Sequence, residues 1–314
     1  THPYPETSLA IDFLLETKDN MKELLELRIN YKYANLLFKE SDGVNLGDPI
    51  LGYSVKVVKI DTSSSIVDKI ASVTKQVYEQ YGECFYFGWA YKRIYTSKEM
   101  HEARLLNIII RQQLEFGGEE YGTKYDQGPA CDLCGSGYKQ LSPLRLKKGF
   151  SLRKRDAVIT LANEIIVSKR FVEVMKANDI TGMTFGPVEI KNHISEDYCQ
   201  LMMEGHSIDI AEQTRFGDEP FDFVENKREI LPCPNGDLQG LNILSEAYVK
   251  NSSEIYNHDF IISKQTYGMP NTGGVGSPLW RPRPLLLCSP KWYQIVQQNK
   301  LKGFSFEIAH IVAN

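Results

Sequence analysis

The strongest constraint on this chain is that part of it is written twice. Residues 165–188, IIVSKRFVEVMKANDITGMTFGPV, recur as residues 286–309, LLCSPKWYQIVQQNKLKGFSFEIA, at a constant spacing of 121 residues and without a gap. Ser168 then aligns with Ser289, Phe171 with Trp292, Val174 with Ile295, Asn178 with Asn299, Gly182 with Gly303 and Phe185 with Phe306. Such a repeat comes before any other reading, because both copies must solve the same packing problem.

Each copy predicts strand, helix, turn and strand. The β-branched run Ile165–Val167 has the character of a strand covered on both faces. Ser168 and Ser289 stand where an N-cap hydroxyl can accept a free backbone N–H. Phe171, Val174 and Met175, like Trp292, Ile295 and Val296, follow helical spacing and mark one buried face. Gly182 and Gly303 fall just past the helix, where a left-handed residue closes the turn.

The repeat extends upstream. Asp156–Thr160 aligns with Asp259–Ser263, Gln140–Lys147 with Ile243–Lys250, and Cys131 with Cys233. The spacing grows from 102 at the cysteines to 121 at the helix, mostly through a Gly/Pro-rich insert, residues 268–284, expected to be loop. The expected fold is α+β: mixed sheets with short packed helices and an internally duplicated C-terminal region. Its expected parts are an N-terminal α/β portion (1–126), a first half with the Cys-x-x-Cys turn (127–192), a linking segment (193–232) and a second half (233–314).

Within the N-terminal portion, residues 1–45 suggest short helix around Leu14, Leu15, Met21, Leu24, Leu25 and Leu27. Strands are expected at 53–60 and 84–95, and an amphipathic helix at 66–81. Thr96-Ser-Lys-Glu99 spells a capping box, with a short helix to about Leu106 and a strand at 107–113. At 42% hydrophobic, 24% charged and a formal charge of −4, the composition carries neither a nucleic-acid nor a membrane footprint. No apolar run reaches the ~20 residues of a membrane span. Thr1-His-Pro-Tyr4 does not read as a signal peptide, and six cysteines in so long a chain do not form a disulfide scaffold. A cytoplasmic location is the default expectation.

The chemically richest stretch is Glu115–Gly135, at the junction of the N-terminal portion and the first copy. Glu119, Glu120, Lys124, Tyr125 and Asp126 are its candidate binding residues. The carboxylates could act as acid and base, or form a solvated loop with Lys124. Trp280, Arg281 and Arg283 in the insert are further candidates, since Trp and Arg favour interface hot spots. Cys131-Asp-Leu-Cys134-Gly135 is half of a zinc turn, aiming two thiolates at one ion. Cys233-Pro-Asn-Gly-Asp237 looks like its partner with one cysteine gone, so Cys131, Cys134 and Cys233 are the candidate metal ligands. His258, Cys199, Asp237 or His193 could complete a structural zinc site, and a tight turn with two reduced thiols is the other reading. The glycine pairs lack the spacing of a phosphate loop. The basic run Arg145–Lys148 with Arg153–Arg155 reads as a solvated face.

With Cys131, Cys134, Gly135 and Cys233 followed by the serine-capped helices (Ser168, Ser289) and Gly182 and Gly303, the chain resembles the double-Cys-x-x-Cys-Gly-motif immunity proteins of bacterial polymorphic toxin systems. The resemblance covers at most residues 131–314, and the second turn lacks its second thiol. It implies a soluble, non-catalytic binder of a protein partner, such as a toxin. The alternative is an enzyme acting on a nucleotide or small molecule at the Gly117–Cys134 loop.

Overall fold

The computed structural model describes residues 21–42, 46, 55–114, 116–203, 205–218, 232–270, 272–274 and 277–313. The fold is α+β, with mixed sheets and short helices. The N-terminal sheet has the order β2-β1-β3, from β1 (Lys22–Asn30), β2 (Val55–Asp61) and β3 (Tyr86–Ile94). Helix α1 (Val67–Tyr81) covers it, with Ile70, Val73 and Val77 facing Leu25, Leu27 and Ile29. The helix expected around Leu24, Leu25 and Leu27 is instead β1. Its buried residues recur every second position, which is strand periodicity. Leu14 and Leu15, expected in the same helix, lie outside the described residues. Thr96 and Glu99 form the expected capping box of α2 (Ser97–Glu102).

The first copy runs through β4 (Leu106–Ile110), β5 (Gln113–Leu114), β6 (Leu144–Leu146), β7 (Ala157–Thr160), β8 (Ile165–Ser168), α3 (Lys169–Ala177) and β9 (Phe185–Ile190). The second runs through β10 (His193–Leu201), β11 (Ser207–Ile208), β12 (Ala247–Lys250), the single turn α4 (Glu254–Asn257), β13 (Phe260–Tyr267), the hairpin β14 (Thr272–Gly274) and β15 (Ser277–Trp280), β16 (Arg283–Cys288), α5 (Pro290–Gln298) and β17 (Phe304–Val312). Part of the insert expected as loop is thus a two-stranded ribbon, Thr272 opposite Trp280.

The two copies build two six-stranded sheets of the same plan, β5-β7-β8-β10-β9-β6 and β11-β13-β16-β4-β17-β12. In both, the outer pairs are parallel and the inner pairs antiparallel. The fourth strand of each comes from the other copy. β10 opens the second copy yet lies in the first sheet, and β4 opens the first copy yet lies in the second. Their registers correspond: Gln200 pairs with Ile166 and Gly186, and Asn107 pairs with Leu287 and Glu307. The segment expected as a link, 193–232, therefore supplies a central strand of the first sheet. Likewise β4 and β5, expected in the N-terminal portion, belong to the duplicated body.

The copies share one core. Phe171 of α3 and Trp292 of α5, both fully buried, meet with ring centroids 6.0 Å apart, and Phe304 packs on each. Residues of both sheets, among them Ile159, Val167, Leu106 and Phe260, close around them. Truncating an aromatic at such a place costs about 3–5 kcal/mol. Ser168 accepts the Phe171 N–H at 3.0 Å and Ser289 the Trp292 N–H at 3.2 Å, so both expected caps form. The N-terminal sheet is tied on by Arg93, whose side chain is only 3% exposed and pairs with Glu23 at 2.6 Å and Glu307 at 2.9 Å.

Candidate metal centre and the junction between the copies

Two turns closed by the same backbone bond, from each cysteine N–H to the carbonyl five residues on, meet across the copies. In the first, the Cys131 N–H bonds the Ser136 carbonyl at 2.8 Å and Gly135 adopts a left-handed φ of 74°. In the second, the Cys233 N–H bonds the Leu238 carbonyl at 2.8 Å and Gly236 has a φ of 79°. Thr266 of β13 holds both: its hydroxyl bonds Ser136 Oγ at 2.8 Å and donates to the Asp237 carbonyl at 2.9 Å.

This brings the thiols of Cys131, Cys134 and Cys233 and the carboxylate of Asp237 within 4.8 Å of one another, a set that can hold a metal ion. Cys131 Sγ lies 3.6 Å from Cys233 Sγ. The edge of a tetrahedron with 2.3 Å metal–sulfur bonds is about 3.8 Å. The backbone N–H groups of Cys134 and Leu133 aim at Cys131 Sγ and hold its pKa below the usual thiol value, assisted by Cys233 and Asn235. Burial pushes the Cys134 thiol the other way. A metal would remove that conflict, because a coordinated thiol is deprotonated outright. The structure thus brings together the three predicted cysteines. Of the four residues considered for the last position, Asp237 is the one that joins them.

The two groups of predicted binding residues also converge, but largely on each other. Glu119 pairs with Arg281, and Glu120 Oε1 accepts the Leu279 N–H at 3.1 Å. Arg281 is buried, its guanidinium 4.1 Å from the ring centre of Tyr125 and 4.4 Å from that of Tyr138. Tyr125 donates its hydroxyl to Glu164 at 2.7 Å; burial, then the Glu164 charge, pushes its pKa far up. Glu164, itself buried, also accepts the Thr160 hydroxyl and, at 2.9 Å, the Gly118 N–H. Lys124 and Asp126 stand apart with exposed side chains, Asp126 accepting the Gly128 N–H at 2.9 Å. Arg283 lies over the Tyr267 ring at 5.0 Å, and Trp280 is partly exposed.

The glycines of this loop serve close approach. A Cβ on Gly118 would come within 2.4 Å of Leu144 and Thr123, and one on Gly117 within 2.7 Å of Ala162. Beside the cluster is a cleft of about 180 Å³ lined by Tyr125, Tyr138, Glu164 and the amide pair Gln140–Gln200, among others.

Glu164 and Tyr138 were not singled out from the sequence. A signal for Glu164 was present: aligned at 121, it faces Leu285, a carboxylate where the other copy is apolar. Among the described residues no helix is long and apolar enough to cross a membrane. No family model matches the sequence, and no curated protein matches it either.

Proposed function

We propose that the chain is a non-catalytic, immunity-like protein of a bacterial toxin or defence system, which binds a protein partner and is stapled internally by a structural zinc ion. The observation that carries this reading is the origin of the candidate ligands: Cys131 and Cys134 come from one copy, Cys233 and Asp237 from the other. An ion there cross-links the duplicated body, as closed structural zinc sites do. The charged groups of the junction support the same reading, because Glu119 pairs with Arg281, Arg281 lies over Tyr125, and Tyr125 bonds Glu164. What the junction offers to solvent is Leu133 (64% exposed), Leu141 (61%), Phe116 and Trp280, with Lys124 and Asp126 beside them in sequence. Exposed apolar side chains interspersed with charge suit a protein partner in the bacterial cytoplasm.

The test is co-expression with the protein encoded by the neighbouring gene, scoring that protein's toxicity, growth and complex formation. Wild type should protect. Leu133→Asp with Trp280→Ala should fold, retain metal and protect at least ten-fold less. Failure of the wild-type chain to protect or to form a complex would sink the reading. Turnover of a nucleotide or small molecule, lost in Tyr125→Phe, would establish an enzyme at the Gly117–Cys134 loop instead.

A further inference from the structure

A second group of metal-binding side chains lies in the second copy, away from the cysteines. His206 precedes β11, Glu254 opens α4, and His258 is the C-cap of α4, four residues after Glu254. His206 Nδ1 is 2.7 Å and His258 Nε2 3.4 Å from the same oxygen, Glu254 Oε2. The three ligand atoms all fall within 4.8 Å of one another. The imidazoles stack with centroids 3.3 Å apart and planes 15° from parallel. His258 Nδ1 is buried without a partner, so Nε2 is the edge the ring presents.

Backbone contacts hold these residues in place. The His206 carbonyl accepts the Ile262 N–H at 3.0 Å, and the His258 N–H donates to the Glu254 carbonyl at 3.1 Å. Gly182 presses on His258 from the first copy, where an added Cβ would stand 3.2 Å from the histidine Cβ. The fold itself does not call for this trio. The Gln112 carbonyl accepts the Ile159 N–H at 3.0 Å, just as His206 serves Ile262, so Gln112 is the counterpart of His206. Counting back from the paired Asp156 and Asp259, Glu254 falls on Ser151 and His258 on Arg155. The first copy builds the same strands with none of the three, and where the second has α4 it has only a tight turn closed by the Arg155 N–H on the Leu152 carbonyl at 3.1 Å.

We infer that His206, Glu254 and His258 form a second metal site, for a first-row divalent cation. Two neutral imidazoles and a carboxylate are the ligand set such ions accept, and three protein ligands leave one position for water or an outside group. The His206 side chain is 43% exposed, so the open position faces solvent. A small rotation of the rings out of their stack brings Nδ1, Nε2 and Oε2 around one ion. The site is independent of the cysteine cluster.

The experiment is cobalt substitution on the chelator-stripped full chain, since cobalt bound by thiolate shows a near-ultraviolet charge-transfer band and cobalt bound by nitrogen and oxygen does not. In a Cys131→Ser background, one equivalent of cobalt without that band should remain. Adding His206→Ala or Glu254→Gln should abolish it, while the thermal unfolding midpoint of the stripped protein stays within a degree or two. If Cys131→Ser does not fold, wild type is compared with His206→Ala, which should bind one equivalent less and keep the thiolate band. Equal cobalt uptake with and without His206 overturns the site. A missing thiolate band with retained, His206-dependent uptake would overturn the zinc staple and leave this site standing.

Discussion

Asp156 and Asp259 each grip both copies at once. Asp156 accepts the Ser168 hydroxyl of its own helix cap at 2.8 Å and, with its other oxygen, the Lys302 N–H of the second copy at 2.8 Å. Asp259 accepts the Ser289 hydroxyl at 2.7 Å and the Thr181 N–H of the first copy at 3.1 Å. Arg170 and Lys291 attend the two carboxylates in the same way. This reciprocity makes the copies the halves of an approximate two-fold body.

Stability should therefore depend on acid. Burial pushes the Asp259 pKa up, but the Ser289 hydroxyl, the Thr181 N–H and Lys291 outweigh it and hold the carboxyl below its ordinary value. A carboxyl lowered in the folded state stabilises fully above its unfolded pKa, about 3.9, and the contribution is lost as pH falls through the lower folded value. Urea unfolding should show a steep loss below about pH 4 in wild type and a shallower one in Asp259→Asn. At neutral pH the variant should be weaker by about 1–3 kcal/mol. Parallel pH profiles for the two proteins would refute the assignment.

Substitutions at two left-handed glycines, Gly303 before β17 and Gly149 in the turn after β6, should separate close packing from backbone freedom. Gly303 has a φ of 109°, and a Cβ there would stand 2.5 Å from the Ala157 carbonyl oxygen. Gly149 has a φ of 79° with nothing within 4 Å. Gly149→Ala should cost about 1 kcal/mol, from strain alone. Gly303→Ala should cost clearly more, because it also forces the copies apart, and chemical denaturation compares the two directly.

Replacing Glu164 by the residue its counterpart carries should be harmful. The Glu164 N–H donates to Thr160 Oγ1 at 3.0 Å, and the Leu285 N–H donates to Ser263 Oγ at 2.8 Å, which makes the two positions equivalent. Glu164→Leu leaves the Tyr125 hydroxyl and the Gly118 N–H without their acceptor, at about 1–3 kcal/mol for each buried orphan. Glu164→Gln should lose less, and thermal melts of both variants test the order.

The proposed staple makes its own prediction. Cys233→Ser should release zinc as completely as Cys131→Ser although the two lie in different copies, and chelation should lower the unfolding midpoint of wild type but of neither variant. Asp237→Ala should weaken binding without abolishing it. Metal analysis after dialysis reads all three.

The serine caps and the pairing of Cys131 with Cys233 were legible because identical local needs left identical residues at fixed spacing. Gly182 and Gly303 do not close the helices as expected: Asp179 (φ 49°) and Lys300 (φ 51°) take that left-handed position, and the glycines instead let the chain approach the carbonyls of Phe260 and Ala157 in the other copy. The strand β1 was misread because its leucines sit among charges, and only the alternation at Leu25, Leu27 and Ile29 shows which face is covered. The exchange of β4 and β10 was hidden, since these strands share little beyond the buried amides Asn107 and Gln200. Pairing across a chain leaves no local mark. The meeting of Glu119 with Arg281, and of His206 with His258, is likewise a product of topology.

The copies are joined by Lys191 and Asn192, both at positive φ (55° and 62°), in a two-residue hairpin turn between β9 and β10. That turn is all that separates one unimolecular body from a strand-exchanged pair. A chain nicked there would yield two pieces, each carrying the middle strand of the other's sheet and lacking its own. Neither should acquire stable structure by itself, and mixing should restore both at a rate that rises with concentration. The intact protein is spared that search, but not its order: β4 is made before every other strand of its sheet and waits for its neighbours β16 and β17, which come only near the close of the second copy.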